Sequence, residues 1–239
     1  MTANVDSYRI QARLIPSLLV VLPAGLGVLA FQPAKSTLLN ALAGVVTSFG
    51  LTILLEQFGR DLGKKKEPYL FKRFGGRPTT LQLSHGHSSL EPATLKRYHL
   101  RLAKLIPGMR MPTPRDEDIA RDAAFETYES CTRFLREKTR DKTKFRLVFA
   151  ENVTYGFRRN LWAMKPAGVF VSALGIAACV VSIGCRTTTF DAEHLTVPLV
   201  CLGICVWLLV AWFLRITVKW VEVAANEYAG QLLAACDSL

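Results

Sequence analysis

Residues Leu195–Leu214 read LTVPLVCLGICVWLLVAWFL, twenty consecutive positions without a charged side chain. A helix needs about 20 predominantly apolar residues to cross the hydrocarbon core of a bilayer. Three further windows of this kind occur in the 239-residue chain: Leu14–Gln32, Ser36–Leu55 and Pro166–Cys185. The sequence therefore predicts an all-α integral membrane protein with four transmembrane helices.

The four windows form two pairs, because short loops join the first to the second and the third to the fourth. The predicted organisation has three parts. Residues 1–56 contain the N-terminal cytosolic tail and the first transmembrane hairpin. Residues 57–165 form a basic, helical cytosolic domain inserted between the hairpins. Residues 166–239 contain the second hairpin and a cytosolic C-terminal tail.

Lysine and arginine are distributed very unevenly along the chain. Residues 57–165 contain 24 of the 30 basic residues, whereas the two hairpin loops contain only Lys35 and Arg186. Loops rich in lysine and arginine stay on the cytoplasmic side of a membrane. We therefore expect a multi-pass protein of the bacterial inner membrane, with both termini and the insert in the cytoplasm.

The insert is predicted to be helical after an irregular start. Tyr69–Phe71 and Leu81–Leu83 are predicted as short strands or coil on either side of a turn at Gly75–Pro78. Apolar spacing and capping signals then predict three helices: Thr94–Ile106, a helix that begins at Pro114 after an N-cap at Thr113, and Lys144–Ala163.

Basic residues cluster just after the second window and just before the third. Such clusters attract anionic lipid headgroups, and they also suit a nucleotide or a cytosolic protein partner. Nucleic acid is a weaker alternative, because no nucleic-acid-binding motif is present. The residues predicted to contact an anionic ligand or lipid headgroup are Lys64, Lys65, Lys66, Lys72, Arg73, Arg77, Arg158 and Arg159.

Small and polar residues recur at helical spacing in two of the windows. Such faces pack helices closely, and in a homo-oligomer they can also line a pore. Polar groups at membrane depth need partners or water in either case. The predicted pore or packing face comprises Asn40, Gly44, Thr47, Ser48 and Thr52 in the second window and Gly168, Ser172 and Gly175 in the third.

Motifs of catalysis and metal binding are weak. His85, His87 and His99 are the most metal-like cluster, but no cysteine or carboxylate lies at helpful spacing, which favours a solvated loop. The acidic run Asp116–Asp118 is interpreted as a charged helix start. No nucleophile elbow, zinc-protease motif or kinase signature occurs. We therefore expect a protein that is not an enzyme and has no metal site and no cofactor.

Three segments carry a resemblance: Phe74–Thr80 (FGGRPTT), Lys96–His99 (KRYH) and Glu151–Asn160 (ENVTYGFRRN). Together they resemble a recurrent set of uncharacterised bacterial membrane proteins. By architecture alone, the plan of two spans, an insert and two spans is similar to four-span membrane effectors of anti-phage defence systems. The second resemblance implies a protein that opens or perturbs the membrane.

The function expected from these observations is that of an oligomeric inner-membrane sensor and effector. Its basic insert would bind an anionic ligand or a partner, and its spans would form or gate a pore or perturb the bilayer. Two alternatives remain open. One is a non-catalytic anchor or assembly partner for a cytosolic protein, and the other is a small transporter.

Overall fold

The computed structural model describes residues 7–31, 38–188 and 195–239, without the side chains of residues 38–54 and 188. Within these ranges the regular structure is entirely helical, which confirms the all-α prediction. The chain divides into two compact units. Unit 1 comprises Met1–Glu67 and Gly156–Trp220, and unit 2 comprises Pro68–Tyr155 and Val221–Leu239.

Ten helices are described, and a short 3₁₀ turn, Ala235–Ser238, follows the last of them. In chain order they are α1 (Ser7–Ala30), α2 (Leu38–Phe74), α3 (Pro78–Leu83), α4 (Pro92–Leu105), α5 (Pro114–Ile119), α6 (Arg121–Lys138), α7 (Arg146–Ala163), α8 (Lys165–Thr188), α9 (Thr196–Leu214) and α10 (Val218–Ala234).

Three of the described helices, α1, α8 and α9, are long and apolar enough to cross a membrane. They correspond to the first, third and fourth apolar windows of the sequence. This finding supports a membrane protein with transmembrane helices. The second window, Ser36–Leu55, begins outside the described residues. Only the helical backbone of α2 is described within it, up to residue 54.

A proline near the start of α1 determines how this helix is bonded. Ile10–Leu14 forms a π-helical turn, and Pro16 follows it. Pro16 has no N–H to donate to the carbonyl of Ala12, four residues earlier. The side chain of Asn160 in α7 donates to the Ala12 carbonyl oxygen instead, at 2.8 Å. Asn160 is buried, so the bond satisfies two polar groups that are removed from water.

The start of the insert is helical, so the prediction of an irregular start was wrong. Tyr69–Phe71 lies in the last turns of α2, and Leu81–Leu83 lies in α3. The predicted turn is present, and it ends α2 through a glycine cap. The N–H of Gly76 donates to the carbonyl oxygen of Phe71 at 2.9 Å, and Gly75 has a φ of 82°. Pro78 then begins α3.

The three predicted insert helices are present with altered bounds. Thr94–Ile106 corresponds to α4 and Lys144–Ala163 to α7. The helix that begins at Pro114 has the expected N-cap, because Thr113 and Asp116 form a reciprocal capping box. It ends at Ile119, and α6 starts at Arg121, because Ala120 has φ −141° and ψ 66° and leaves the helical conformation.

The C-terminal segment is folded into unit 2. The segment after the fourth window is predicted to be a tail, but Leu232, Leu233 and Cys236 are fully buried. They share a core with residues of α3, α4 and α6, among them Leu83, Leu102, Tyr128 and Leu135. The core of unit 2 is therefore built from two distant stretches of the chain.

Candidate functional site

The glycines of the predicted face on α8 lie at close helix contacts inside unit 1. A Cβ atom at Gly168 would lie 2.2 Å from Cζ2 of Trp212 in α9. A Cβ at Gly175 would lie 2.6 Å from the carbonyl oxygen of Pro23 in α1. A side chain would clash with the indole ring of Trp212 at the first position and with a backbone carbonyl at the second, so both positions need a small residue. These glycines therefore contact neighbouring helices of the same chain.

Ser172 lies between the two glycines, one turn after Gly168. It is buried, and its Oγ donates to the carbonyl oxygen of Gly168 at 2.7 Å. Its polar atom is thus satisfied within α8. The matching face on α2, made of Asn40, Gly44, Thr47, Ser48 and Thr52, has side chains outside the described residues.

Arg158 and Arg159 are engaged by protein groups of unit 1. Arg158 donates to the carbonyl oxygen of Trp220 at 2.9 Å, and its guanidinium lies over the Trp220 ring. Arg159 is buried and donates to Glu67 at 2.8 Å. A buried charge requires such a partner. Both predicted ligand residues therefore already stabilise unit 1 through contacts with other protein groups.

Three consecutive lysines of α2 differ in their surroundings. Lys64 and Lys65 are exposed. Lys66 is half-buried, and its Nζ donates to the carbonyl oxygen of Ala163 at 2.9 Å. The same ammonium group lies 5.6 Å from the centre of the Trp162 ring. Lys66 is thus held in place at the end of α7.

The other predicted ligand residues belong to unit 2. Lys72 and Arg73 are exposed, and Arg73 donates to the hydroxyl of Tyr69 at 3.1 Å. Arg77 pairs with Glu129 at 3.1 Å, and its guanidinium lies over the Phe71 ring. The pairing offsets part of the positive charge of Arg77. The predicted basic cluster is therefore divided between the two units.

A groove of about 310 Å³ opens in unit 1 where α7 meets α8. Its lining comprises Lys66, Trp162, Lys165, Pro166 and Val169. The Nζ of Lys165 donates to the carbonyl oxygen of Ile216 at 3.0 Å and lies 5.7 Å from the centre of the Phe213 ring. Two ammonium groups and an indole thus border one opening.

Lys66 is among the residues predicted for an anionic site, whereas Lys165 is not. A signal for Lys165 is present, because Trp162 and Lys165 come just before the apolar window that begins at Pro166. Both residue types are favoured where a span meets the membrane interface.

Unit 2 contains a hydrogen-bonded cluster around the carboxylate of Glu117. Ser84 donates to Glu117 at 3.0 Å, the N–H of His85 donates at 2.8 Å, and the hydroxyl of Tyr128 also donates to it. The N–H of Gly86 donates at 3.4 Å. The carboxylate thus connects the loop after α3 to α5 and α6.

Burial and hydrogen bonding act on the pKa of Glu117 in opposite directions. Burial raises it, but the hydrogen bonds from Tyr128, His85, Ser84 and Gly86 outweigh burial and lower the pKa overall. Burial, with the bond to Glu117, raises the pKa of Tyr128. The cluster is therefore an ionised carboxylate held by neutral donors.

Two of the three histidines, His85 and His99, contact different backbone carbonyl groups beside this cluster. A ring nitrogen of His99 lies 2.8 Å from the Leu83 carbonyl oxygen, and one of His85 lies 3.1 Å from that of Pro112. His99 lies in α4 and is buried, and burial lowers its pKa. Among the described residues, no group of three histidine, cysteine or acidic side chains could hold a metal ion.

The role of Glu117 was not predicted from the sequence. The acidic run predicts a helix start, and this is confirmed for Asp116 in the capping box. Glu117 instead binds groups as far as 33 residues away. Nothing in its local sequence distinguishes it from Asp116 or Asp118.

Comparison with known proteins gives no relative for this chain. No protein-family model, curated protein or solved structure matches it.

Proposed function

We propose that the protein is an oligomeric sensor and effector of the bacterial inner membrane. Its basic cytosolic part, formed mainly by unit 2, binds an anionic ligand or a protein partner. Its spans respond by forming or gating a pore, or by perturbing the bilayer, in a role such as phage defence. The observation that carries the proposal is the folding of α10 into unit 2 directly after the last candidate span.

This connection supports a defined topology. Unit 2 contains Pro68–Tyr155 and Val221–Leu239, and α8 and α9 lie between these stretches. One compact unit must lie on one side of a membrane, so the chain between its parts must cross an even number of times. Two crossings by α8 and α9 meet this condition. Cytoplasmic placement then puts 28 of the 30 basic residues inside.

The length of α2 supports a fourth span. This helix has 37 residues, which corresponds to about 55 Å at 1.5 Å per residue. The hydrocarbon core of a bilayer is about 30 Å thick. A helix of this length can cross the membrane in its apolar first half and extend beyond it with the basic second half.

A non-catalytic anchor is the second candidate. The contacts of Gly168 with Trp212 and of Gly175 with Pro23 pack α8 tightly against α9 and α1. Close packing of this kind suits a membrane support that holds a cytosolic partner and opens no path for ions.

Liposomes containing the full chain and an entrapped dye distinguish the two candidates. Extracts of uninfected and phage-infected bacteria serve as probes. A sensor and effector should release dye with one extract and form oligomers in detergent. A monomer that releases no dye with either extract would leave the anchor as the better proposal.

The basic site is tested in the same assay with Lys72→Glu combined with Arg73→Glu. Both residues are exposed, so the protein should still insert while losing the response by at least about tenfold. Adding Arg77→Glu should deepen the loss, but this change also breaks the pair with Glu129. The matched control is Arg136→Glu with Lys138→Glu, two exposed positions of α6. An unchanged response of the Lys72 and Arg73 variant would reject the basic site.

A further inference from the structure

We propose that the groove lined by Lys66, Trp162 and Lys165 binds the phosphate headgroup of an anionic phospholipid. The proposal deepens the proposed function and rests on its placement of α8 in a membrane. The groove lies at the first residues of α8, where this apolar helix begins. The end of a span is the depth at which lipid phosphates are found.

The two ammonium groups are fixed before any lipid arrives. Each makes one hydrogen bond to a carbonyl oxygen at a helix end: Lys66 to Ala163 at the end of α7, and Lys165 to Ile216 just after α9. Carbonyl groups at helix C-termini carry partial negative charge, which favours a cation there. Holding the side chains in place lowers the entropy that binding would otherwise cost.

Both lysines keep donors for a ligand. An ammonium group has three N–H donors, and one is used for the carbonyl in each case. In the part of the chain that the structure describes, neither lysine forms an ion pair. Two positive charges bordering one groove complement the single negative charge of a phosphodiester.

The remaining lining favours a lipid over a soluble anion. Pro166 and Val169 give the groove an apolar wall. Further along α8, Phe170 and Leu174 are 63% and 52% exposed. An acyl chain has an apolar path beside the bound phosphate, whereas a free phosphate has no use for one. The Trp162 indole suits the polar and apolar boundary between the headgroup and the chain.

Tryptophan quenching by brominated lipid tests the groove. The full chain is reconstituted in phosphatidylcholine with rising fractions of brominated phosphatidylglycerol. Brominated phosphatidylcholine in the same host serves as the reference lipid. We expect phosphatidylglycerol to be preferred, and Lys66→Gln with Lys165→Gln to weaken that preference on the order of tenfold, since both ammonium charges are lost. Glutamine keeps an uncharged hydrogen-bond donor on a side chain one bond shorter, and insertion of the variant into phosphatidylcholine checks that the fold persists.

Two further variants control for charge and position. Lys66→Arg with Lys165→Arg should restore the preference. Lys138→Gln with Lys144→Gln should leave it unchanged, because these exposed lysines also lie over phenylalanine rings but belong to unit 2. Equal preference in the wild type and the Lys66 and Lys165 glutamine variant would overturn the proposal.

Added inorganic phosphate separates a lipid site from a site for free anions. At millimolar concentration it should not displace phosphatidylglycerol, and full displacement would overturn the lipid assignment. Insertion into pure phosphatidylcholine separates this proposal from the proposed function. A chain that inserts neither there nor into phosphatidylcholine mixed with phosphatidylglycerol contradicts both. A chain that inserts but shows no preference for phosphatidylglycerol contradicts the groove alone.

Discussion

Glu117 holds the loop after α3 through four donors that belong to two separate places in the chain. Ser84, with the backbone N–H groups of His85 and Gly86, comes from that loop, and Tyr128 comes from α6. Hydrogen bonds to a charged acceptor are stronger than those between neutral groups. The ionised carboxylate of Glu117 therefore contributes more to the stability of unit 2 than an exposed carboxylate would.

We expect unit 2 to lose stability as the pH falls below 4.5. The pKa of Glu117 is lowered from its usual 4.5, so the folded state favours the ionised form. Its stabilisation is complete above the unfolded pKa and is lost as the pH falls through the folded pKa. Glu117→Gln should cost about 1–3 kcal/mol at neutral pH and flatten this decline. The stability of the full chain is measured at each pH from the rate at which a protease cleaves the Ser84–Leu90 loop.

Two comparisons make the acid prediction specific. Glu126→Gln removes an exposed acid of α6 that has no part in the Glu117 cluster, and it serves as the control substitution. His99 adds a separate decline that begins below pH 6.5, because burial lowers its pKa and disfavours the charged ring in the folded state. This decline should persist in Glu117→Gln. Superimposable profiles of Glu117→Gln and the wild type below pH 4.5 would contradict the assigned role.

At the scale of elements, α1 and α8 are so close at Gly175 that any side chain larger than hydrogen would clash with α1. Gly175→Ala would place a Cβ 2.6 Å from the Pro23 carbonyl oxygen, and a backbone atom cannot move aside as a side chain can. We expect a loss of about 1–3 kcal/mol, typical of overpacking. Thermal unfolding in detergent measures it.

Gly203→Ala in α9 is the control for this substitution. Apart from its own helix backbone and chain neighbours, no atom in the part of the chain that the structure describes lies within 4 Å of a Cβ at that position. The change should be neutral or stabilise the helix by up to about 1 kcal/mol, since alanine is the better helix former. Equal unfolding temperatures for the Gly175 and Gly203 variants would show that the predicted clash is relieved.

The C-terminal helix α10 should be required for the stability of unit 2. Leu232 is fully buried in the core that α10 shares with α3, α4 and α6. Leu232→Ala should cost about 2–5 kcal/mol, the usual range for a buried leucine. Val223→Ala, at a position 49% exposed in the same helix, should cost far less. Denaturant unfolding of the full chain measures both, and similar losses would mean that α10 contributes no core.

At the scale of the whole molecule, the position of every loop follows from the number of crossings. Reporter fusions at Lys64 and Leu239 should report the cytoplasm, and a fusion at Thr188 should report the periplasm. The physical reason is the retention of basic loops on the cytoplasmic side. Periplasmic activity at Lys64 would overturn both the topology and the proposed site for a cytosolic ligand.

The sequence by itself determined the features that depend on neighbours along the chain. The apolar windows of α1, α8 and α9, the N-cap at Thr113 and the glycine turn after α2 are all local. Residues within one or two helical turns decide such features, so their spacing can be read directly. The strand or coil prediction at Leu81–Leu83 was wrong. These residues belong to a six-residue helix that is buried in the core of unit 2, and so short a helix has no recognisable helical spacing of apolar residues.

Only the tertiary structure decided the partners of the polar and charged groups. Arg159 pairs with Glu67, 92 residues away, and Asn160 bonds Ala12, 148 residues away. The same holds for Glu117 and for the burial of α10 in unit 2. The sequence does not show whether a given lysine, arginine or glutamate faces water or a buried partner. Their roles depend on which distant groups the fold brings within hydrogen-bond distance. Neither composition nor local spacing predicts those pairs.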